Sequence, residues 1–164
     1  MSKVITFSRV FPSYHPRKGE PTFFVEKIWS TEMFKKDFDR GIIKDAFKNY
    51  EERNFEPKWH TIRAGKRWKV GDKFSPRVWS GKPYASKQIV IAPDIEIKKV
   101  WNVRINPNGN YTEVMLTTKS VNVFTLLSCG NVAENDGLDV NDFINWFQKA
   151  GDYQIICWNE NINY

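Results

Sequence analysis

The spacing of apolar residues changes character along the chain. Residues 4–7 form a short apolar-rich run that predicts a first strand, and residues 12–21, broken by Pro12, Pro16, Gly19 and Pro21, read as a loop. Thr22 is placed to cap a helix beginning at Phe23. Phe24, Ile28, Phe34, Phe38, Ile42 and Phe47 then recur at helical spacing, with Gly41 as an interruption. After Pro57 the pattern shortens to runs rich in β-branched and aromatic residues at 73–79, 88–92, 95–105 and 111–118, which predict successive strands. Pro107-Asn108-Gly109-Asn110 predicts a hairpin between the last two, because Asn-Gly tolerates the positive φ of the favoured turns. Asp139 caps a late helix that carries Val140, Phe143 and Phe147 on one face and ends at Gly151, and residues 153–158 form a closing strand. Helices grouped early and late around antiparallel strands define an α+β fold. A small closed or half-open β-barrel is the arrangement that leaves the fewest open edges.

The length, 164 residues, is that of one domain, and 41% hydrophobic residues supply enough apolar material for a core. No apolar run approaches the roughly 20 residues that cross a bilayer. Residues 1–17 lack the charged head, apolar stretch and small-residue site of a secretory leader. Cys129 and Cys157 are the only cysteines, and a core with this many aromatic residues does not need a bridge between them. A monomeric cytoplasmic protein without a cofactor is the expectation.

The net charge of +6 is unevenly distributed. Residues 1–57 carry 11 Lys and Arg against 9 Asp and Glu, residues 58–104 carry 12 against 3, and residues 105–164 carry 2 against 7. A local balance of +9 attracts polyanions, phosphate backbones above all. Within it Lys58, Arg63, Lys66, Arg67, Lys69, Lys73 and Arg77 alternate with Trp59, Trp68, Phe74 and Trp79. Cations for phosphates beside flat rings for bases is the composition of a single-strand nucleic-acid surface. The same alternation also describes a solvated strand face whose rings point into a core.

The string Lys58-Trp59-His60-Thr61-Ile62-Arg63, followed by Arg67-Trp68-Lys69-Val70-Gly71-Asp72, resembles the opening motif of the ASCH domain family within the PUA-like superfamily of small RNA-associated β-barrels. There a Lys-x-x-Thr-Ile-Arg segment leads through a basic turn to a Gly-Asp that starts a barrel strand. Ala133-Glu134-Asn135-Asp136-Gly137-Leu138, followed by Asp142-Phe143 and Trp146-Phe147, is similar to the family's acidic element before its late helix. The resemblance covers residues 4–7, the helix near Phe24 and most of 58–158, and makes about 29–57 a helical insertion.

One bacterial branch of that family comprises amidohydrolases that deacetylate N(4)-acetylcytidine. Matching positions imply Lys58 as base, Thr61 as nucleophile and Asp136 as proton carrier, with Glu134 as an alternative acid. A Thr hydroxyl attacks only when a base takes its proton, and a Lys serves as that base only with its pKa brought toward neutrality. Arg63, Lys66, Arg67 and Lys69, with Trp59, His60 and Trp68, are the candidate ligand-binding residues, and RNA, single-stranded nucleic acid or a modified nucleoside is the expected partner. His15 and His60 have no metal-ligand spacing, so no metal is expected. Three functions stay open: an amidohydrolase, a binding module without chemistry, and a protein-interaction domain.

Overall fold

The computed structural model describes residues 2–31, 55–117 and 124–164. The expected helical positions Phe34, Phe38, Ile42 and Phe47, and with them most of the expected insertion, lie outside the described residues. The chain divides into two compact units, one drawn from Met1–Pro57 and Lys73–Glu96, the other from Lys58–Asp72 and Ile97–Tyr164. The described residues make an α+β fold with mostly antiparallel sheets and three short helices. No helix among the described residues is long and apolar enough to cross a membrane.

The first unit is organised by β3 (Lys73–Trp79), which pairs in parallel with β1 (Lys3–Thr6) and antiparallel with β4 (Gln88–Val90) and β5 (Ile95–Glu96). Phe74 and Val78, four residues apart and so on one face of β3, are fully buried. Helix α1 (Phe24–Trp29) buries Phe24, Val25, Ile28 and Trp29, and the Trp29 indole N–H donates to the Ile91 carbonyl at 2.6 Å. That bond ties the helix to the chain just beyond β4. The N-cap position of α1 is Phe23, at φ 56°, one residue later than expected, yet the Thr22 hydroxyl still reaches the helix end: it accepts from Phe24 N–H at 3.4 Å and donates to the Ser8 carbonyl at 2.7 Å. The hydroxyl ties the first helical residue to the loop.

The second unit is a five-stranded antiparallel sheet in the order β2-β9-β6-β7-β8, with β2 His60–Ala64, β6 Lys99–Asn108, β7 Tyr111–Thr117, β8 Phe124–Leu127 and β9 Gly151–Cys157. Residues alternate between its two faces. One face carries Ile62, Val103, Ile105, Val114 and Ile155, all buried. Two short helices follow β8: α2 (Cys129–Asn135) and α3 (Val140–Trp146). Phe147, the residue that closes α3, packs against Phe143 with the ring planes tilted by 46° and meets Tyr153 of β9 edge-on, with centroids 4.8 and 5.5 Å apart.

The expected hairpin is present, with Asn108 paired to Tyr111. Its central residues are Gly109 and Asn110, and only Gly109 has positive φ, 60°, the pattern of a type II′ turn. The expected strand at 95–105 divides into β5 and β6. Gly151 does not end the late helix, which closes at Phe147; it begins β9. β2, β8, α2 and the parallel pairing of β1 with β3 had no counterpart in the sequence reading. Phe143 is fully buried, so Phe143→Ala should lower unfolding free energy by about 3–5 kcal/mol in urea denaturation. A loss below about 1 kcal/mol would show that this helix face is not core.

Candidate functional site

The site is built at the C-terminus of α2. Ser128 caps the other end of that helix, accepting from the Asn131 N–H at 3.4 Å. The C-terminal end closes in a Schellman motif: Gly137 N–H reaches the Glu134 carbonyl at 2.9 Å and Leu138 N–H the Ala133 carbonyl at 3.0 Å. The motif needs a left-handed residue, which Gly137 supplies at φ 78°. Leu138 buries its side chain, and Asp139 caps α3 by accepting from Asp142 N–H at 2.8 Å. Asp136, the C-cap residue, is thereby fixed between two helix ends.

The segment that starts β2 runs across this point. Trp59 N–H donates to the Asn135 carbonyl at 2.9 Å, and its own carbonyl accepts from Trp158 N–H at 3.1 Å. Lys58 Nζ donates to the backbone carbonyl of Asp136 and, at 2.7 Å, to its side-chain Oδ1. One ammonium therefore satisfies a helix-terminal carbonyl and a carboxylate together. Lys58 is only 1% exposed. His60, two residues on and fully buried, approaches the same carboxylate: Nδ1 stands 3.5 Å from Oδ1, too long for a strong hydrogen bond but close enough for electrostatic attraction. Its Nε2 lies 2.8 Å from the Tyr164 hydroxyl, which also accepts from Asn135 Nδ2 at 2.9 Å. Tyr164 packs edge-on against Trp101, with centroids 4.9 Å apart.

Charge is arranged to suit this burial. Burial alone opposes the Asp136 carboxylate's charge, but Lys58 and then His60 outweigh it and hold its pKa below the usual carboxylate value. Burial dominates at His60 and lowers its pKa, so the ring is neutral. A lone pair on Nδ1 would face the carboxylate, so the proton belongs on Nδ1 and the Tyr164 hydroxyl donates to Nε2. Burial raises the pKa of that phenol and keeps it protonated. Cys157, paired in register with His60, has its thiol pushed up to about 11 by burial. Among the described residues no group of three or more His, Cys, Asp or Glu is placed to hold a metal.

Of the three residues implied as catalytic, the structure brings Lys58 and Asp136 together across 78 positions of sequence. Thr61 is buried too, but as the neighbour of His60 in a regular strand it projects from the opposite face of β2. Glu134, the alternative acid, is exposed on α2. On the Thr61 face stand Arg63 and, paired to it in register, Gln154. The Gln154 amide clamps the Trp68 backbone from both sides, accepting from its N–H at 2.9 Å and donating to its carbonyl at 3.2 Å. The Trp68 ring is buried, whereas Lys66, Arg67 and Lys69 around it are exposed. Lys69 N–H is held by Asp72 Oδ2 at 3.0 Å, and Gly71, at φ 86°, turns the chain. The result is a cationic arch on a buried aromatic anchor. Trp59 is half-buried and contributes its backbone to the helix end.

Sequence reasoning missed Asn135, Gln154 and Tyr164. Gln154 had a signal, as a polar residue at the head of the apolar run Ile155-Ile156-Cys157-Trp158. Tyr164 had none, since nothing local ties it to His60. A scan against protein-family models and searches of curated proteins and of solved structures find no match to this chain.

The two lowered pKa values set a pH dependence. An unfolded His60 gains a proton below about 6.5 while the folded one resists it, so stability present above that pH is lost on acidification. Asp136 adds a second loss as pH falls below about 3.9 toward its lower folded value. Melting temperature should therefore fall between pH 7.5 and 5, and His60→Gln, though less stable at neutral pH, should show a shallower fall over that interval. An unchanged slope would show that His60 is not buried in neutral form.

Proposed function

We propose that this chain is an ASCH-type, PUA-like domain that binds RNA or a modified nucleoside, with the exposed arch of Lys66, Arg67 and Lys69 as its phosphate contact. The observation that carries the reading is the arch itself: three exposed cations on a turn that the Trp68–Gln154 clamp holds in one shape. A preorganised cationic turn loses little conformational entropy on meeting a phosphate chain. The meeting of Lys58 and Asp136 also supports the ASCH resemblance, whose motifs include both positions. A barrel-like closure of the β-rich fold, as in PUA-like proteins, is part of the same proposal.

In this reading Lys58, His60 and Asp136 are positioning residues. Both acceptors named for Lys58 Nζ draw hydrogen from it, whereas a general base needs its lone pair directed at the proton it removes. The pair fixes the start of β2, and β2 leads directly into the arch.

Binding of a fluorescent single-stranded RNA should weaken with salt, with a log–log slope of about −0.7 for each phosphate neutralised. Arg67→Glu with Lys69→Glu should weaken it for every sequence and flatten the slope by about 1 to 2. Absence of binding at low salt, or indifference to that swap, would remove the nucleic-acid reading.

The amidohydrolase is the second reading, favoured by the 2.7 Å contact between Lys58 and Asp136. Chromatography of acetylcytidine incubated with the protein separates the two. The binding reading leaves the nucleoside intact. Release of acetate that Thr61→Val and Lys58→Arg each abolish would put the enzyme in its place.

A further inference from the structure

The first unit carries a feature that neither the arch nor the buried pair uses. Strands β3 and β4 form a hairpin, with Trp79 paired to Gln88 and Arg77 to Val90. Its tip, residues 80–87, is held rigid by its own bonds. Ser80 N–H reaches the Lys87 carbonyl at 2.8 Å, and the Ser86 hydroxyl accepts from Gly81 N–H and donates to the Lys82 carbonyl, both at 2.9 Å. At the apex Tyr84 adopts φ 63°, a left-handed conformation that is strained for a bulky residue. Its ring is 90% exposed, so no burial offsets the strain. Its ring neighbour among the described residues is Trp79, half-buried, with centroids 5.3 Å apart and planes tilted by 50°.

Charge identifies the partner. From 73 to 93 the sequence contains Lys73, Arg77, Lys82 and Lys87 and no Asp or Glu. Lys82 and Lys87 are exposed on either side of Tyr84, and Arg77 lies on the Trp79 face of the hairpin, bonded to Gln88 Oε1 at 3.2 Å. A flat exposed ring between cations meets the two needs of a single strand, a surface on which a base stacks and charges for the adjoining phosphates.

We propose that the β3–β4 hairpin tip is a second docking point for single-stranded nucleic acid, with Tyr84 stacking a base beside Trp79 and Lys82 and Lys87 contacting phosphates. This extends the nucleic-acid reading, and rests on it, by adding a contact separate from the arch.

The test compares hairpin and arch variants in binding a short fluorescent oligouridylate, with circular dichroism as a check of folding. Tyr84→Ala should weaken binding about tenfold, the effect of losing one base stack, and Tyr84→Phe should bind nearly as wild type. Tyr84→Gly removes the ring and relieves the strained φ, so it should bind as weakly as Tyr84→Ala while being at least as stable. Lys82→Glu with Lys87→Glu should flatten the salt slope by about 1. A photoreactive 5-iodouridine strand should crosslink to the peptide containing Tyr84. If the hairpin variants bind as wild type while Arg67→Glu with Lys69→Glu weakens binding, this inference is overturned and the nucleic-acid reading stands. If wild-type protein binds no oligonucleotide, both fall. Binding to phosphatidylserine vesicles that depends on Tyr84, without oligonucleotide binding, would make the tip a membrane contact and overturn the proposal.

Discussion

The second unit depends on a charge that cannot be left alone. Lys58 is buried, and an unpaired ammonium in that position would be far costlier than any single contact in the core could offset. The chain answers with Asp136, whose carboxylate and carbonyl both receive the same nitrogen. Because Asp136 is the C-cap of α2 and Lys58 sits two residues before β2, the bond joins a helix end to a strand start. Much else follows from that junction: the Trp59 bond to Asn135, the Tyr164 bridge between Asn135 and His60, and the register that carries β2 toward the arch. A buried pair of this kind contributes little net stability against a well-packed apolar substitute, but it tolerates few alternative arrangements.

What the sequence made legible was local chemistry. Asn108-Gly109 announced a hairpin and Asp139 a helix cap, whereas the helix that ends at Asp136 in a Schellman motif was not read from the sequence. The resemblance at Lys58 anticipated a partner in Asp136, which no spacing argument could have provided across such a distance. The rest was decided by long-range pairing. β2 was unreadable as a strand because its buried positions do not alternate apolar with polar: His60 and Ile62 are buried on one face and Thr61 on the other. β8 was hidden for a different reason: it ends the strand order of its sheet with Phe124 and Leu126 exposed, so that of its apolar residues only Leu127 marks the core. The parallel match of β1 with β3 has no signature in either strand. Alternation along β2 also parts Thr61 from the Lys58 face, a separation that the Lys-x-x-Thr spacing alone did not reveal.

The basic stretch that dominated the charge pattern is shared between the two units, with Lys66, Arg67 and Lys69 in the second and Lys73, Arg77, Lys82 and Lys87 in the first. The two sets are held differently. The arch is anchored from below by a buried tryptophan and a glutamine clamp, whereas the hairpin tip is braced by a serine within the loop and displays its ring. In both, rigidity comes from hydrogen bonds at the base of the turn, which leaves the cations exposed. Of the rings in that alternation, Trp68 and Phe74 are core and Trp59 and Trp79 are half-buried, while the exposed ring, Tyr84, lies outside it.

The central claim is that the Lys58–Asp136 pair positions the fold and does not itself meet a ligand. The direct measurement is a double-mutant cycle of Lys58→Met and Asp136→Leu, reading unfolding free energy and RNA affinity on the same proteins. Each single change should destabilise by about 3–5 kcal/mol, because it strands one buried polar partner, and the double variant should recover much of that loss. RNA affinity of the folded double variant should stay within about threefold of wild type, a difference of under about 1 kcal/mol. A double variant that regains stability yet loses binding altogether would place Lys58 and Asp136 in the ligand site and contradict the account.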